Sequence, residues 1–154
     1  MLFLLFQLGT ERYALDAGQV VAVLPRLGVK EIPHAPPAVA GLCHYRGSPA
    51  PVIDLGQLAL GRLSANRLST RIVLVHFPDP NHGPHLLGLL AERATETLRR
   101  DEDDFVPAGV SIDAASYLGP VTADVRGLIQ RIEVQHLLPP TLQALLFKNE
   151  AMPA

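Results

Sequence analysis

Tryptophan is absent from the 154 residues, and aromatic residues make up only 5% of them. That argues against a base-stacking platform for single-stranded nucleic acid. The formal net charge of −2 gives no general pull toward nucleic acid or an anionic membrane. Cys43 is the single cysteine, which excludes an intramolecular disulfide and is compatible with a reducing compartment. Long apolar runs are lacking too. The opening Met1-Leu2-Phe3-Leu4-Leu5-Phe6 has no basic start and ends at Gln7, with Glu11 and Arg12 close behind. It is too short to cross a bilayer, so the expectation is a buried first strand and no direct membrane insertion.

Catalytic signatures are equally sparse. There is no Gly-x-Ser-x-Gly elbow, phosphate loop or dinucleotide fingerprint. Cys43 and His44 are adjacent, and neighbours on a strand point to opposite faces, so they cannot act as nucleophile and base. His82 and His85 flank Gly83-Pro84, which breaks helical pairing, and the expectation is a solvated turn rather than half a metal site. Asp101-Glu102-Asp103-Asp104 lacks the pattern of a calcium loop and reads as a solvated connection. No catalytic residue, metal ligand or cofactor is nominated, which favours a binding module over an enzyme.

The chain does have enough apolar content, 48%, to build a core. Fourteen prolines and twelve glycines cut it into short segments, as in an all-β barrel or sandwich. Strands are expected at Leu2 to Leu8, Arg12 to Leu15, Val20 to Leu24, Arg71 to Phe77, Leu86 to Ala91 and Thr95 to Leu98. Val121 to Val125 and Leu128 to Val134 read as a hairpin. Leu55 to Leu60 reads as a helical turn, and Thr141 as the cap of a short C-terminal helix. Ile32 to Pro37 contains three prolines and must be irregular.

The most informative stretch is Val39 to Leu55. Apolar-rich runs at Leu42 to Tyr45 and Pro51 to Leu55 flank Arg46-Gly47-Ser48-Pro49, which predicts a hairpin. Arg46 at its mouth is placed to be presented. Strand alternation puts Cys43 and Tyr45 on one face and His44 and Arg46 on the other. Gly47 reads as turn geometry. Gly41 either clears space for a partner helix or holds a conformation only glycine tolerates. Val20 reads as core or contact. The two halves are weak copies: Tyr13-Ala14-Leu15 matches Leu87-Gly88-Leu89, and Arg46-Gly47 matches Arg126-Gly127.

Several of these residues, in this order, resemble the CheW-like domain. They are Phe3 to Gly9, Tyr13-Ala14-Leu15-Asp16, Val20 with Val23, Pro33 through Pro37, Val39-Ala40-Gly41, Arg46-Gly47 and Pro51 to Leu55. Gly88-Leu89-Leu90, Gly119 and Arg126-Gly127 fit more loosely. The resemblance implies two packed five-stranded SH3-like barrels with a short C-terminal helix. It implies one domain over residues 1–148, the first barrel mainly from about 15–65, the second from about 70–135 with exchange of terminal segments, and a tail at 149–154. The implied function is a non-catalytic adaptor coupling chemoreceptors to a CheA-type histidine kinase, cytoplasmic and recruited to receptor arrays at the inner membrane. The implied partners are the regulatory domain of that kinase and the cytoplasmic tip of the receptor, with self-association in arrays as a further contact.

Partner-binding positions carried over are Val20, Gly41 and Arg46, with His44 and Gly47 beside them. Two departures stand out. Many relatives carry an acidic residue at the position of Ala22, within reach of the arginine, and Asn-Leu in place of His44-Tyr45. The Met1 to Leu8 and Val20 to Pro25 stretches also resemble the adaptor of Wsp-type surface-sensing systems. Two other readings stay open: a CheW-like module in a different two-component assembly, and a small barrel-fold hydrolase, which turnover abolished by a point mutation would reveal.

Overall fold

The computed structural model describes residues 1–147. Its nine strands are β1 (Leu2–Leu8), β2 (Glu11–Asp16), β3 (Val20–Pro25), β4 (Val39–Tyr45), β5 (Ser48–Asp54), β6 (Arg71–Phe77), β7 (His85–Arg99), β8 (Leu118–Asp124) and β9 (Gly127–Ile132). Two short helices complete it, α1 (Leu55–Leu60) and α2 (Pro140–Leu146).

The strands form two five-stranded sheets that share β7. One runs β3-β6-β7-β5-β4 and the other β7-β1-β2-β9-β8. Corresponding pairings match throughout. β5 runs parallel to the first half of β7, as β9 runs parallel to β2. Each sheet curls until the segment beyond one edge bridges the other edge, Lys30 with Leu42 and Val106 with Val121. This is the SH3-like barrel expected, made twice. The residue copies noted in the sequence fall on equivalent strands, since Tyr13-Ala14-Leu15 lies on β2 and Leu87-Gly88-Leu89 on β7.

Period-two alternation explains the near-continuous apolar strands, because both faces are covered. On β1, Leu4, Phe6 and Leu8 enter a core fed by both sheets, while Phe3 and Leu5 enter the second barrel's own interior. On β6, Val73, Val75 and Phe77 join the shared core, while Ile72 and Leu74 fill the first barrel. Among the described residues the shared core holds twenty buried side chains, against six and five in the barrel interiors. At about 1.5–3 kcal/mol per fully buried large aliphatic side chain, most of the burial energy lies where the two barrels depend on each other.

Three expectations need correction. Leu86 to Ala91 and Thr95 to Leu98 are one strand, β7. It survives the change of sheet because a bulge, with Arg93 at φ +51°, absorbs the shift in register against Leu5 and Gln7. The pairing passes from one sheet to the other inside β7, and residues 2–16 pair in the second sheet. Thr141 is not a cap. Helix α2 begins at Pro140 with Pro139 as N-cap, since proline's fixed φ and missing donor suit the first helical position. Val134 lies past β9 in a 3-10 turn. The tail beyond residue 147 is outside the described residues.

Candidate functional site

The β4–β5 hairpin is closed by the pair Tyr45 and Ser48, leaving a two-residue loop. Its residues, Arg46 and Gly47, have φ of +49° and +85°. Positive φ at both loop positions is the turn whose twist matches the strands it joins. Gly47 fits it without strain, and a side chain there would meet nothing within 4 Å. Arg46 holds the same left-handed region with a full side chain, at a cost of about 1–2 kcal/mol.

Arg46 consequently leaves the strand alternation. His44 is exposed, while Cys43 is buried and Tyr45 half-buried on the opposite face. Arg46 was expected beside His44. Its guanidinium instead lies over the Tyr45 ring, 5.3 Å from the centroid, because the strand ends at Tyr45 and the turn swings the next side chain back. That stack holds the arginine in the absence of an acidic residue at Ala22, and among the described residues Arg46 enters no ion pair. The site is an exposed guanidinium on an aromatic shelf, flanked by His44. Burial pushes the Cys43 thiol pKa up, away from the thiolate a nucleophile needs.

Gly41 has an internal reason to be glycine. Its φ is +147°, and an added Cβ would lie 2.1 Å from the Lys30 carbonyl oxygen. Lys30 is the residue whose two hydrogen bonds with Leu42, 2.8 and 2.9 Å, close the barrel. Val20 begins β3, pairs with Val75 and packs half-buried on the shared core. Gly41, His44, Arg46 and Gly47 thus belong to one hairpin, and Val20 to the opposite edge strand of the same sheet.

The second barrel offers a surface that the sequence reading missed. Its β8–β9 loop is Val125-Arg126, one residue earlier than the Arg126-Gly127 copy implied, with Gly127 already paired to Asp124. Val125 is fully exposed at the tip. Arg12 grips Asp124 with both guanidinium nitrogens, one at 2.9 Å. That bond and the Arg126 amide hold the Asp124 carboxyl well below the usual carboxylate range. Arg126 also pairs with Glu96 at 3.1 Å. Beside this braced hairpin, Val110, Ile112, Leu118, Val121 and Leu128 line a groove of about 380 Å³. Val110, Ile112 and Leu128 are exposed there, and no periodicity in the sequence marks the loop that carries two of them.

The 78–84 loop is more ordered than a solvated turn. Asp79 accepts from His85 Nε2 at 2.7 Å, the Asn81 amide at 2.9 Å and His82 Nδ1 at 3.2 Å. These bonds, His85 first, hold its carboxyl below the ordinary range. His85 stacks on Phe147, which stacks in turn on Phe77, fastening the end of α2. Among the described residues no cluster of three or more His, Cys, Asp and Glu is placed to hold a metal ion. No helix among them is long and apolar enough to cross a membrane.

Comparison with known proteins agrees with this architecture. The family model of the CheW-like domain matches residues 2–140. The chain is 26% identical over 148 residues to a chemotaxis protein CheW of Klebsiella aerogenes, covering 94% of this chain and 85% of that one. It is 27% identical over 106 residues to a chemotaxis protein CheW of Helicobacter pylori, covering 68% of this chain. That match spans 61% of the Helicobacter protein's own length. Among solved structures it is similar to the scaffolding protein TtCheW of Thermoanaerobacter tengcongensis. The TM-score is 0.77 and the identity 26%, over 90% of this chain and 87% of that one.

Proposed function

The chain belongs to the CheW-like domain family, and we propose that it is a non-catalytic adaptor joining chemoreceptors to a CheA-type histidine kinase. The observation that carries this reading is Arg46. It is exposed, stacked on Tyr45 and unpaired among the described residues, at a turn where its backbone is strained. A guanidinium so presented suits a partner's carboxylate or the carbonyl end of a helix, since its planar fork can make two bonds at once. An adaptor also needs a second face. The Val110–Ile112–Leu128 groove on the other barrel supplies an apolar one. The kinase's regulatory domain and the receptor's cytoplasmic tip are the occupants proposed for these two faces. His44 and Gly47 flank the first contact, Val20 sits on the opposite edge strand, and the role of Gly41 is to shape the β4 edge. Work at receptor arrays in the cytoplasm follows from the same proposal.

The test is Arg46→Glu with pull-down of purified kinase and receptor-tip fragments. The variant should fold as the wild type does, since Arg46 makes no internal ion pair, and should lose capture of at least one partner by tenfold or more. Unchanged capture of both by the folded variant removes Arg46 from the site.

A further inference from the structure

The bulge that carries β7 from one sheet to the other also has a second effect. A bulge re-aims the side chain it contains. Here that side chain is Arg93, exposed and in no ion pair among the described residues. It lines a pocket of about 100 Å³ together with Gln7, Arg12, Thr95, Glu96 and Arg126. Three arginines, from β2, β7 and the β8–β9 loop, therefore meet around one small space. It has room for a small ion and not for an extended ligand. The Gln7 carboxamide and the Thr95 hydroxyl add uncharged donors, and Glu96 is the one carboxylate on its wall.

The three guanidiniums are held to different degrees. Arg12 is the deepest, its side chain only 10% exposed. It uses three of its five N–H groups on Asp124 and the Gly127 carbonyl, which leaves two for the pocket it lines. Asp124, which answers its charge, is not on the pocket wall. Arg126 pairs with Glu96 at 3.1 Å, but those side chains are 56% and 55% exposed. A pair so open to water contributes at most about 1 kcal/mol and exchanges easily. Arg93 has no carboxylate of its own. Even with Asp124 counted, three positive charges face two negative ones. Like charges gathered around one space repel unless an anion lies between them.

We infer that this pocket binds a phosphate dianion, as inorganic phosphate or as the phosphoryl group of a monoester. A carboxylate presents two oxygens in one plane, enough for one guanidinium fork. Three guanidiniums from separate elements, with a hydroxyl and a carboxamide, suit the three or more oxygens of a tetrahedral ion. Arg12 meets it from the buried side, and Arg93 and Arg126 meet it from the exposed rim. Glu96 is its competitor, because it already occupies Arg126 and repels an arriving anion. The site uses neither Arg46 nor the Val110–Leu128 groove and does not depend on the adaptor reading.

The experiment is an amide NMR titration of the full chain at about pH 8, where a phosphate monoester is a dianion, and at constant ionic strength. The probes are sodium phosphate, O-phosphoserine and sodium acetate, each to about 20 mM. Two variants are compared with the wild type, Arg93→Asn and Glu96→Gln. Asparagine tolerates the left-handed backbone at the bulge, so the first should fold. Phosphate should shift the Gln7, Arg93 and Thr95 amides of the wild type to saturation, at least tenfold more tightly than acetate. Arg93→Asn should weaken binding at least tenfold. Glu96→Gln should tighten it at least threefold, a gain that damage to the fold would not produce. Phosphoserine bound more tightly than phosphate upholds the site and names a monoester as its occupant. The reverse order upholds it and names the free ion. Shifts that do not saturate or that centre elsewhere, acetate bound as tightly as phosphate, or either variant binding like the wild type, each overturns the proposal.

Discussion

Replacing Gly41 by alanine should damage this fold far more than the same change at Gly47, and the difference can be worked from the geometry. Both glycines have positive φ, +147° and +85°. At Gly47 an added Cβ meets nothing within 4 Å, so only backbone strain is incurred, about 1 kcal/mol. At Gly41 the Cβ would stand 2.1 Å from the Lys30 carbonyl oxygen and 2.8 Å from its carbon. That group is backbone, and it must retreat by more than an ångström to reach ordinary contact. Retreat breaks the two Lys30–Leu42 hydrogen bonds, worth about 1 kcal/mol each, on top of the strain. The expected loss is about 3–4 kcal/mol for Gly41→Ala against about 1 for Gly47→Ala. Urea unfolding of the three proteins measures both, with a shared slope confirming a common unfolded reference. Hydrogen exchange adds a local check, because the Leu42 amide should lose protection only in the Gly41 variant. If the two variants fall within 1 kcal/mol of each other, the barrel-closing role of Gly41 is refuted.

The remaining predictions concern anchors, pH and strain. Asp54→Ala should cost about 3 kcal/mol in denaturant unfolding. It removes the α1 cap and strands the Ser64 donors, while loosening the 61–70 loop in hydrogen exchange. Asp79 and Asp124 are both held below the ordinary carboxylate range, so their stabilisation is complete above about pH 4. It is lost as the pH falls through their folded values, so the thermal midpoint should drop on acidification from pH 4, and Asp124→Asn should flatten that slope. Arg46→Gly should leave stability within about 1 kcal/mol of the wild type, relief of backbone strain offsetting the lost stack on Tyr45, as a melting curve would read.

Which parts of the fold were legible follows from which forces are local. Arg71 to Phe77 announced itself because β-branched and apolar residues on both faces have few alternatives to a buried strand. The hairpin at Arg46-Gly47 was legible because a tight turn demands a glycine. The continuity of β7 was hidden, since Glu92 to Glu96 reads as a polar interruption. Only its pairing with β1, across the bulge at Arg93, shows it to be strand. The position of the Arg46 guanidinium was hidden for a related reason. Alternation holds to Tyr45, and one residue of left-handed backbone then reverses it. The Val110–Leu128 groove joins a loop to a strand about eighteen residues on, a contact no local pattern records.

Strain at Arg46 and strain at Arg93 have different meanings, and the contrast bears on where function resides. Arg93 is left-handed inside a bulge that the sheet itself requires, because β7 must change partners between one barrel and the other. The fold accounts for that conformation whatever side chain is present. The turn at Arg46 requires positive φ but nothing of the side chain, and glycine or asparagine would satisfy it at lower cost. An arginine there gains only the stack on Tyr45, about 0.5–1 kcal/mol, which offsets about half of the backbone cost. Folding is thus nearly indifferent to Arg46, whereas it depends on Gly41 two strand repeats away. A residue held in a costly conformation without benefit to the fold is the place to test the contact proposed for it. In this hairpin the glycines define the shape of the edge, and the arginine is the residue proposed to meet a partner.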